Sequence, residues 1–245
     1  MTQEKTLRQR MRAGETLVAL RGSLDTSQSE LAEIWASGRF DYIWIDGQHT
    51  PFTERELADY CAAAEALGID VQLRIPHTRH AYLVGRFLDF GPSAVLVPEV
   101  MEPETVDDAV AYAYYGPIGR RSWGGAFRRG LNGAAKGMDR LQYAAWWNDY
   151  VVLGIQIESV EAVSNILKLA KPGVSVVTFG PNDLSFSLDD HPGYPLRTVD
   201  ECMANVAAQL KGSGIALAMG TPTAPEERGK YLEMGFTLFQ EDAPA

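Results

Sequence analysis

A chain of 245 residues, 46% of them hydrophobic, can bury roughly 70–75% of its unfolded surface in one core, so a single domain over 1–245 is the simplest count. The net charge of −10 leaves no basic excess to neutralise phosphates, which argues against nucleic acid and anionic membranes as partners. A small anionic substrate held by local arginines stays open. The start, MTQEKTLRQRMRAGE, is charged throughout and lacks the apolar core of a signal peptide. No run approaches the roughly 18 apolar residues of a membrane span. Cys61 and Cys202 sit in helix-like contexts and suggest buried packing rather than a disulfide framework, so a reducing, cytoplasmic location is expected.

Short apolar runs fall, in chain order, at 16–20 (TLVAL), 42–45 (YIWI), 71–75 (VQLRI), 94–98 (AVLVP), 151–157 (VVLGIQI), 174–180 (VSVVTFG), 215–219 (IALAM) and 236–239 (FTLF). Each has the length and turn boundaries of a strand covered on both faces. Helical spacing separates them: Leu57, Tyr60, Cys61 and Ala64 form one stripe, and Val163, Ile166, Leu167 and Ala170 another. Further helices are expected over 104–114, around Trp146 and Trp147, and after Thr198, which with Glu201 has the spacing of a capping box. The stretch YGPIGRRSWGGAFRRGLNGAAKG reads as a long ordered loop. Its arginines are either solvated or a flexible cover that attracts carboxylates.

Eight strands alternating with helices predict a (β/α)₈ barrel with its site at the carboxyl ends of the strands. The competing doubly wound sheet lacks a G-x-G-x-x-G after the first strand. Asp46 and His49 then follow strand 2, Arg74 ends strand 3, Gln156 and Glu158 end strand 5, and Asp183 follows strand 6. Two carboxylates from adjacent strands about 4 Å apart repel by roughly 4 kcal/mol at an effective dielectric of 20. Glu158 and Asp183 therefore invite a divalent cation or else cap the helices that follow them. Oxygen ligands suit Mg²⁺, Mn²⁺ or Co²⁺. None of the six lysines, Lys5, Lys136, Lys168, Lys171, Lys211 and Lys230, lies in an apolar run or at its carboxyl end, so Schiff-base chemistry is not expected.

The segments FDYIWIDGQHTP, LRIP, FLDFGPSAVLVPEV, YGPIGRRSWG, IQIES and FGPNDLS, in this order and spacing, resemble the class II pyruvate aldolases typified by 4-hydroxy-2-oxoheptane-1,7-dioate aldolase, a group that includes citrate lyase β-subunit-like proteins. The resemblance runs from about residue 15 to 242. It implies a barrel of the phosphoenolpyruvate/pyruvate-binding type that uses a divalent metal to cleave 4-hydroxy-2-oxo acids into pyruvate, or an analogue such as hydroxypyruvate, and an aldehyde. It further implies Glu158 and Asp183 as metal ligands, Arg74 on the keto oxygen, His49 as catalytic base with Asp89 as its paired acid, and Gln156 among the substrate contacts. The amides of Asn182 and Asp183 would bind the substrate carboxylate, Arg121 would line the acceptor side, and the assembly would be a homo-oligomer, often a hexamer. A citrate-lyase-like enzyme acting on a coenzyme A thioester, or a pyruvate-binding barrel without turnover, are the alternatives.

Four departures from the pattern stand out. Gln48 replaces a glutamate in the usual DGEH, Ser122 replaces the glycine after the arginine, and Arg21 and Ser23 stand where a tryptophan follows the first strand. Only six residues follow FTLF, so the helix expected after the eighth strand is missing and one apolar flank needs cover from elsewhere. Asp46 either binds a metal water or ties down the strand-end turn. Asp242 either matches a substrate-side aspartate that the resemblance implies or is simply solvated near the chain end, and His77, His80 and His191 read as solvated loop or helix-start residues.

Overall fold

A computed structural model describes residues 5–243. Eight parallel strands, β1 (Leu17–Arg21), β2 (Tyr42–Asp46), β3 (Val71–Arg74), β4 (Ala94–Val97), β5 (Val152–Ile157), β6 (Val176–Phe179), β7 (Ala216–Pro222) and β8 (Phe236–Asp242), close in sequential order into a barrel. The expected (β/α)₈ architecture is the one observed, and each strand overlaps its apolar run. The helices are α1 (Leu7–Arg12), α2 (Gln28–Ala36), α3 (Glu54–Ala66), α4 (Val84–Leu88), α5 (Pro103–Ala113), α6 (Arg140–Tyr150), α7 (Val160–Ser164), α8 (Ile166–Leu169), α9 (Pro181–Asp190), α10 (Val199–Leu210) and α11 (Arg228–Met234). No helix follows β8 among the described residues, and none of the helices there is long and apolar enough to cross a membrane.

The period-2 alternation of the strands divides the core in two. On β5, Leu153, Ile155 and Ile157 face the helices, while Val152 belongs to a separate inner cluster with Leu17, Ala19, Trp44, Ala94, Ala216 and Leu238. The same parity turns Gln156 and Glu158 toward the barrel axis at its carboxyl end. Small inner residues such as Ala19, Ala94 and Ala218 leave room for the indole of Trp44.

Local signals account for most helix ends. Thr198 accepts from the Glu201 amide at 3.1 Å while Glu201 accepts from the Thr198 amide at 3.2 Å, which is the capping box read from the sequence. The stripe Val163–Ala170 is corrected. The helix breaks at Asn165 into α7 and α8, Leu167 is 65% exposed, and only Val163 and Ile166 of that set are fully buried. Asn165 leaves the helical region (φ −99°, ψ 10°), and the change of axis rotates Leu167 out of the stripe.

The arginine-rich stretch is corrected more deeply. Arg121, Arg128 and Arg129 are buried while Arg120 is exposed, so three of the four arginines are packed rather than solvated. Helix α6 presents Tyr143, Trp146, Trp147 and Tyr150 at i, i+3, i+4 and i+7. The Arg121 guanidinium lies 4.1 Å from the Trp147 ring centroid, and Arg128 lies 4.8 Å from that of Tyr143 and 4.0 Å from that of Trp123. Arg129 donates to the Ile69 carbonyl at 2.8 Å and pairs with Asp70 at 3.3 Å, just ahead of β3. Weakly hydrated guanidinium planes stack on aromatic faces at low desolvation cost.

Candidate active site

Arg74 and Asp46 are register partners at the ends of β3 and β2. Arg74 Nε donates to Asp46 Oδ1 at 2.9 Å and Nη2 to Oδ2 at 2.6 Å, a bidentate fork with side chains 10% and 14% exposed. The same carboxylate accepts from the amides of Gln48 at 2.9 Å and His49 at 3.3 Å. Of the two roles open to Asp46 in the sequence, the structure shows the tying of the turn and adds the anchoring of Arg74. Burial works to raise the Asp46 pKa, but the Arg74 hydrogen bonds and charge, with the two amides, outweigh it and hold the carboxyl below its ordinary range. The other face of Arg74 rests on Trp44, 5.1 Å from the ring centroid.

Glu158, just past β5, is buried. Its Oε1 accepts from the Glu99 amide at 2.5 Å and its Oε2 from Gln156 Nε2 at 2.8 Å. Burial, aided by the negative charges of Asp183 and Glu99, pushes its pKa up to about 7. Gly180 makes room for this pair, since a Cβ there would come within 2.5 Å of Glu158 Oε2 and 2.8 Å of Gln156 Nε2. Glu99 has φ +51°, a left-handed conformation that costs a non-glycine residue roughly 1–3 kcal/mol. It aims the amide at Glu158.

Asp183 lies in the first turn of α9, with Gly180 at the N-cap and Pro181 at the first helical position. Proline has no N–H to leave unpaired, so the first free amides are those of Asn182 and Asp183. Such amides, reinforced by the helix dipole, suit a carboxylate. Glu158 and Asp183 line one cavity of about 460 Å³ with His49, His77, Arg79 and Glu99.

Two of the expected site residues lie elsewhere. Asp89 caps α4 in the outer helical layer and accepts from Arg121 Nη2 at 2.8 Å; no hydrogen bond joins it to His49, which follows β2 on the carboxyl rim. Arg121 has a side chain only 1% exposed and does not line the cavity. In this chain Asp89 pairs with Arg121 rather than with His49, and Arg121 stands away from the cavity. The aromatic faces of α6 draw Arg121 inward, and Asp89 follows its charge. Asp242 is met by Arg21 at 3.1 Å, and His191 stands on the outside near Glu161. His77 and Glu99, which the sequence did not mark as functional, are in the cavity wall.

The model for HpcH/HpaI aldolase/citrate lyase matches residues 24–241. The chain belongs to the HpcH/HpaI aldolase/citrate lyase family. It is 32% identical over 219 residues to 2-dehydro-3,6-dideoxy-6-sulfogluconate aldolase of Pseudomonas putida, covering 88% of this chain and 82% of that one. It is 31% identical over 209 residues to 2-keto-3-deoxy-L-rhamnonate aldolase of Salmonella gallinarum, covering 83% and 76%. The crystal structure of an HpcH/HpaI aldolase from Desulfitobacterium hafniense DCB-2 superposes with a TM-score of 0.81 at 28% identity, covering 98% of this chain and 91% of that one. This HpcH/HpaI barrel is thus an enzyme of the aldolase kind.

The oxygen donors fit a divalent cation. Glu158 is a buried carboxylate whose nearest partners are two neutral N–H donors, and the buried Oε1 of Gln156 has no hydrogen-bond partner. Among the described residues no group of three or more His, Cys, Asp or Glu side chains is placed to hold a metal ion. A cation held by Glu158 and Asp183 would complete its shell with water and substrate oxygens, the habit of hard cations.

Proposed function

We propose that this enzyme is a metal-dependent lyase acting in the cytoplasm, which reversibly cleaves 4-hydroxy-2-oxo acids into pyruvate, or a close analogue such as hydroxypyruvate, and an aldehyde. One observation carries the reading: Arg74 closes β3, Glu158 follows β5 and Asp183 lies in the first turn of α9, so all three stand at the carboxyl ends of the barrel strands.

The substrate carboxylate sits against the amides of Asn182 and Asp183. Arg74, its Nε and Nη2 committed to Asp46, offers Nη1 to the keto oxygen, and Gln156 adds an amide. Glu158 and Asp183 would hold a Mg²⁺, Mn²⁺ or Co²⁺ ion, which would supply Lewis-acid stabilisation of the developing negative charge. His49, exposed at the cavity wall, takes the proton of the 4-hydroxyl. The O–H electrons form the aldehyde carbonyl, and the C3–C4 bond breaks toward C3. Its electron pair leaves an enolate whose charge rests on the oxygen facing Arg74, and protonation at C3 completes pyruvate.

The assembly is part of the same reading: a homo-oligomer, six copies in the form the resemblance suggests, in which Asp89 of one copy reaches His49 of another. Its position in the outer helical layer supports that arrangement over pairing within one chain.

The test compares Arg74→Ala with His49→Ala on a 4-hydroxy-2-oxo acid and on oxaloacetate, whose decarboxylation makes the same enolate without touching a 4-hydroxyl. Arg74→Ala should damage both reactions. His49→Ala should cost aldol cleavage about 10²–10⁴-fold and decarboxylation much less. Equal losses for His49→Ala would remove His49 as the base.

A further inference from the structure

The amino-terminal face of the barrel, opposite the reaction cavity, holds a separate recess of about 310 Å³. Its walls come from helix α1, the loop ahead of β6 and the loop ahead of β7. Arg8, Arg12 and Lys171 line it, and none of the lining residues is acidic. In a chain of net charge −10, a recess lined by cations alone is a local reversal of sign, and its low-dielectric walls focus the field.

Lys171 is neutralised by Asp107 at 2.6 Å. The two arginines are not. Arg8 gives Nη1 to the Asn148 carbonyl and rests 5.4 Å from the Tyr114 ring centroid, while Arg12 makes no hydrogen bond or ion pair among the described residues. Arg10, between them in sequence, is held by Glu15 at 2.9 Å and Asp41 at 2.6 Å, so the carboxylates near α1 are spent on the other face. Arg8 and Arg12 stand at i and i+4, the spacing at which like charges on a helix repel. The helix dipole favours a cation in the last turn, where Arg10 and Arg12 lie, but it does not account for Arg8.

The loops add donors. Gly173 and Gly214 have positive φ, 106° and 79°, and their amides donate to no acceptor among the described residues. Ser213 Oγ accepts from the Ile215 amide at 3.1 Å, which leaves its own proton to give. Tyr114 donates to the Gly173 carbonyl at 2.6 Å, so one ring both carries Arg8 and ties down the loop opposite. A phosphate group is the complement: it brings a charge near −2 and three acceptor oxygens, and guanidinium groups bind it through paired N–H donors. The volume is at the lower end for small-molecule sites, about 300 Å³, and leaves room for a few carbons beside the phosphate.

We propose that this recess binds the phosphate group of a small molecule, supplied by an organic ester or by the free ion, at the end of the barrel away from the reaction. None of its residues lies on the carboxyl rim, so the site does not depend on the aldolase reading. The bound phosphate relieves the repulsion between Arg8 and Arg12 and fastens α1 to the loops ahead of β6 and β7. It therefore stabilises the folded chain by mass action.

Calorimetric titration of the intact chain at constant ionic strength with glycerol 3-phosphate, inorganic phosphate and glycerol reads the site. Both phosphates should bind saturably and raise the melting temperature, and glycerol should do neither. Tighter binding of the ester assigns the site to a phosphorylated metabolite, and equal or tighter binding of the free ion assigns it to inorganic phosphate. Arg12→Gln breaks no contact among the described residues; it should weaken binding about 10-fold, the scale of one lost hydrogen bond to a charged group, and leave oxaloacetate decarboxylation unchanged. Arg8→Gln should weaken binding similarly, while its melting temperature without ligand reports the lost Asn148 contact separately. Arg74→Ala should bind both phosphates as wild type does. Absence of saturable binding, or binding that Arg12→Gln leaves intact, overturns the proposal. Binding that Arg74→Ala abolishes puts the phosphate on the carboxyl rim and overturns it equally.

Discussion

Arg74 and Asp46 face each other across adjacent strands through two parallel hydrogen bonds of 2.9 and 2.6 Å, and each depends on the other for burial. Replacing Asp46 by Asn would leave the buried Arg74 side chain, 10% exposed, without its counter-charge. Losing one partner of a buried pair costs about 3–5 kcal/mol. Chemical denaturation of Asp46→Asn at neutral pH should show a loss near the lower end of that range.

The pH dependence follows from the depressed pKa of Asp46. A carboxyl whose folded value lies below its ordinary 3.8 stabilises the fold fully above that ordinary value, and the contribution is lost as the pH falls through the depressed one. The stability gap between wild type and Asp46→Asn should therefore stay constant above about pH 5 and narrow below about pH 4. Denaturation midpoints measured across that range check it; a gap that widens in acid would contradict the pairing.

Chelation should abolish carbon–carbon cleavage, and Mn²⁺, Co²⁺ or Mg²⁺ should restore it. Glu158→Gln should bind the cation far more weakly, because it keeps the volume beside Gly180 but loses the charge. Equilibrium dialysis with Mn²⁺ measures this without any assay of activity. Full turnover by protein shown to be metal-free would remove the cation from the mechanism.

Borohydride reduction in the presence of pyruvate should leave every lysine unmodified. Lys171 is held by the Pro103 carbonyl at 3.0 Å and Asp107 at 2.6 Å, Lys5 by Glu15 at 2.8 Å, and Lys230 by Asp200 at 3.4 Å. None of the six lines the rim cavity. A mass increase on any of them by peptide mapping would replace the metal mechanism with a covalent one.

The barrel was legible because its signal is repeated: eight apolar runs of strand length, separated by helical spacing, admit few closures. The run VVLGIQI also put Gln156 and Glu158 at the carboxyl end of the fifth strand, where β5 ends. The losses came where long-range partners decide. Nothing near RRSWGGAFRRG announces that α6, some twenty residues later, supplies ring faces for Arg121 and Arg128. Within the chain Asp89 then follows Arg121. Glu99 escaped because a left-handed conformation has no sequence mark when the residue is not glycine, and His77 because the turn it caps and the cavity it lines belong to different elements. The stripe at Val163–Ala170 failed because a one-residue break at Asn165 does not disturb the spacing of apolar letters.

Trp44 carries Arg74 at 5.1 Å and Arg21 at 5.7 Å from its ring centroid, while its buried indole N–H has no hydrogen-bond partner. An indole in the inner core that carries two cations, one of them Arg74, is an optical gauge. Its excited state shifts charge within the ring, so its emission energy responds to any change in the charges around it. When a 2-oxo acid draws electron density from Arg74, the Trp44 emission should change in intensity and wavelength, and Trp44→Phe should delete that change from the signal of the remaining four tryptophans. The binding step can then be followed in real time, by stopped flow, with no label and before any bond is broken.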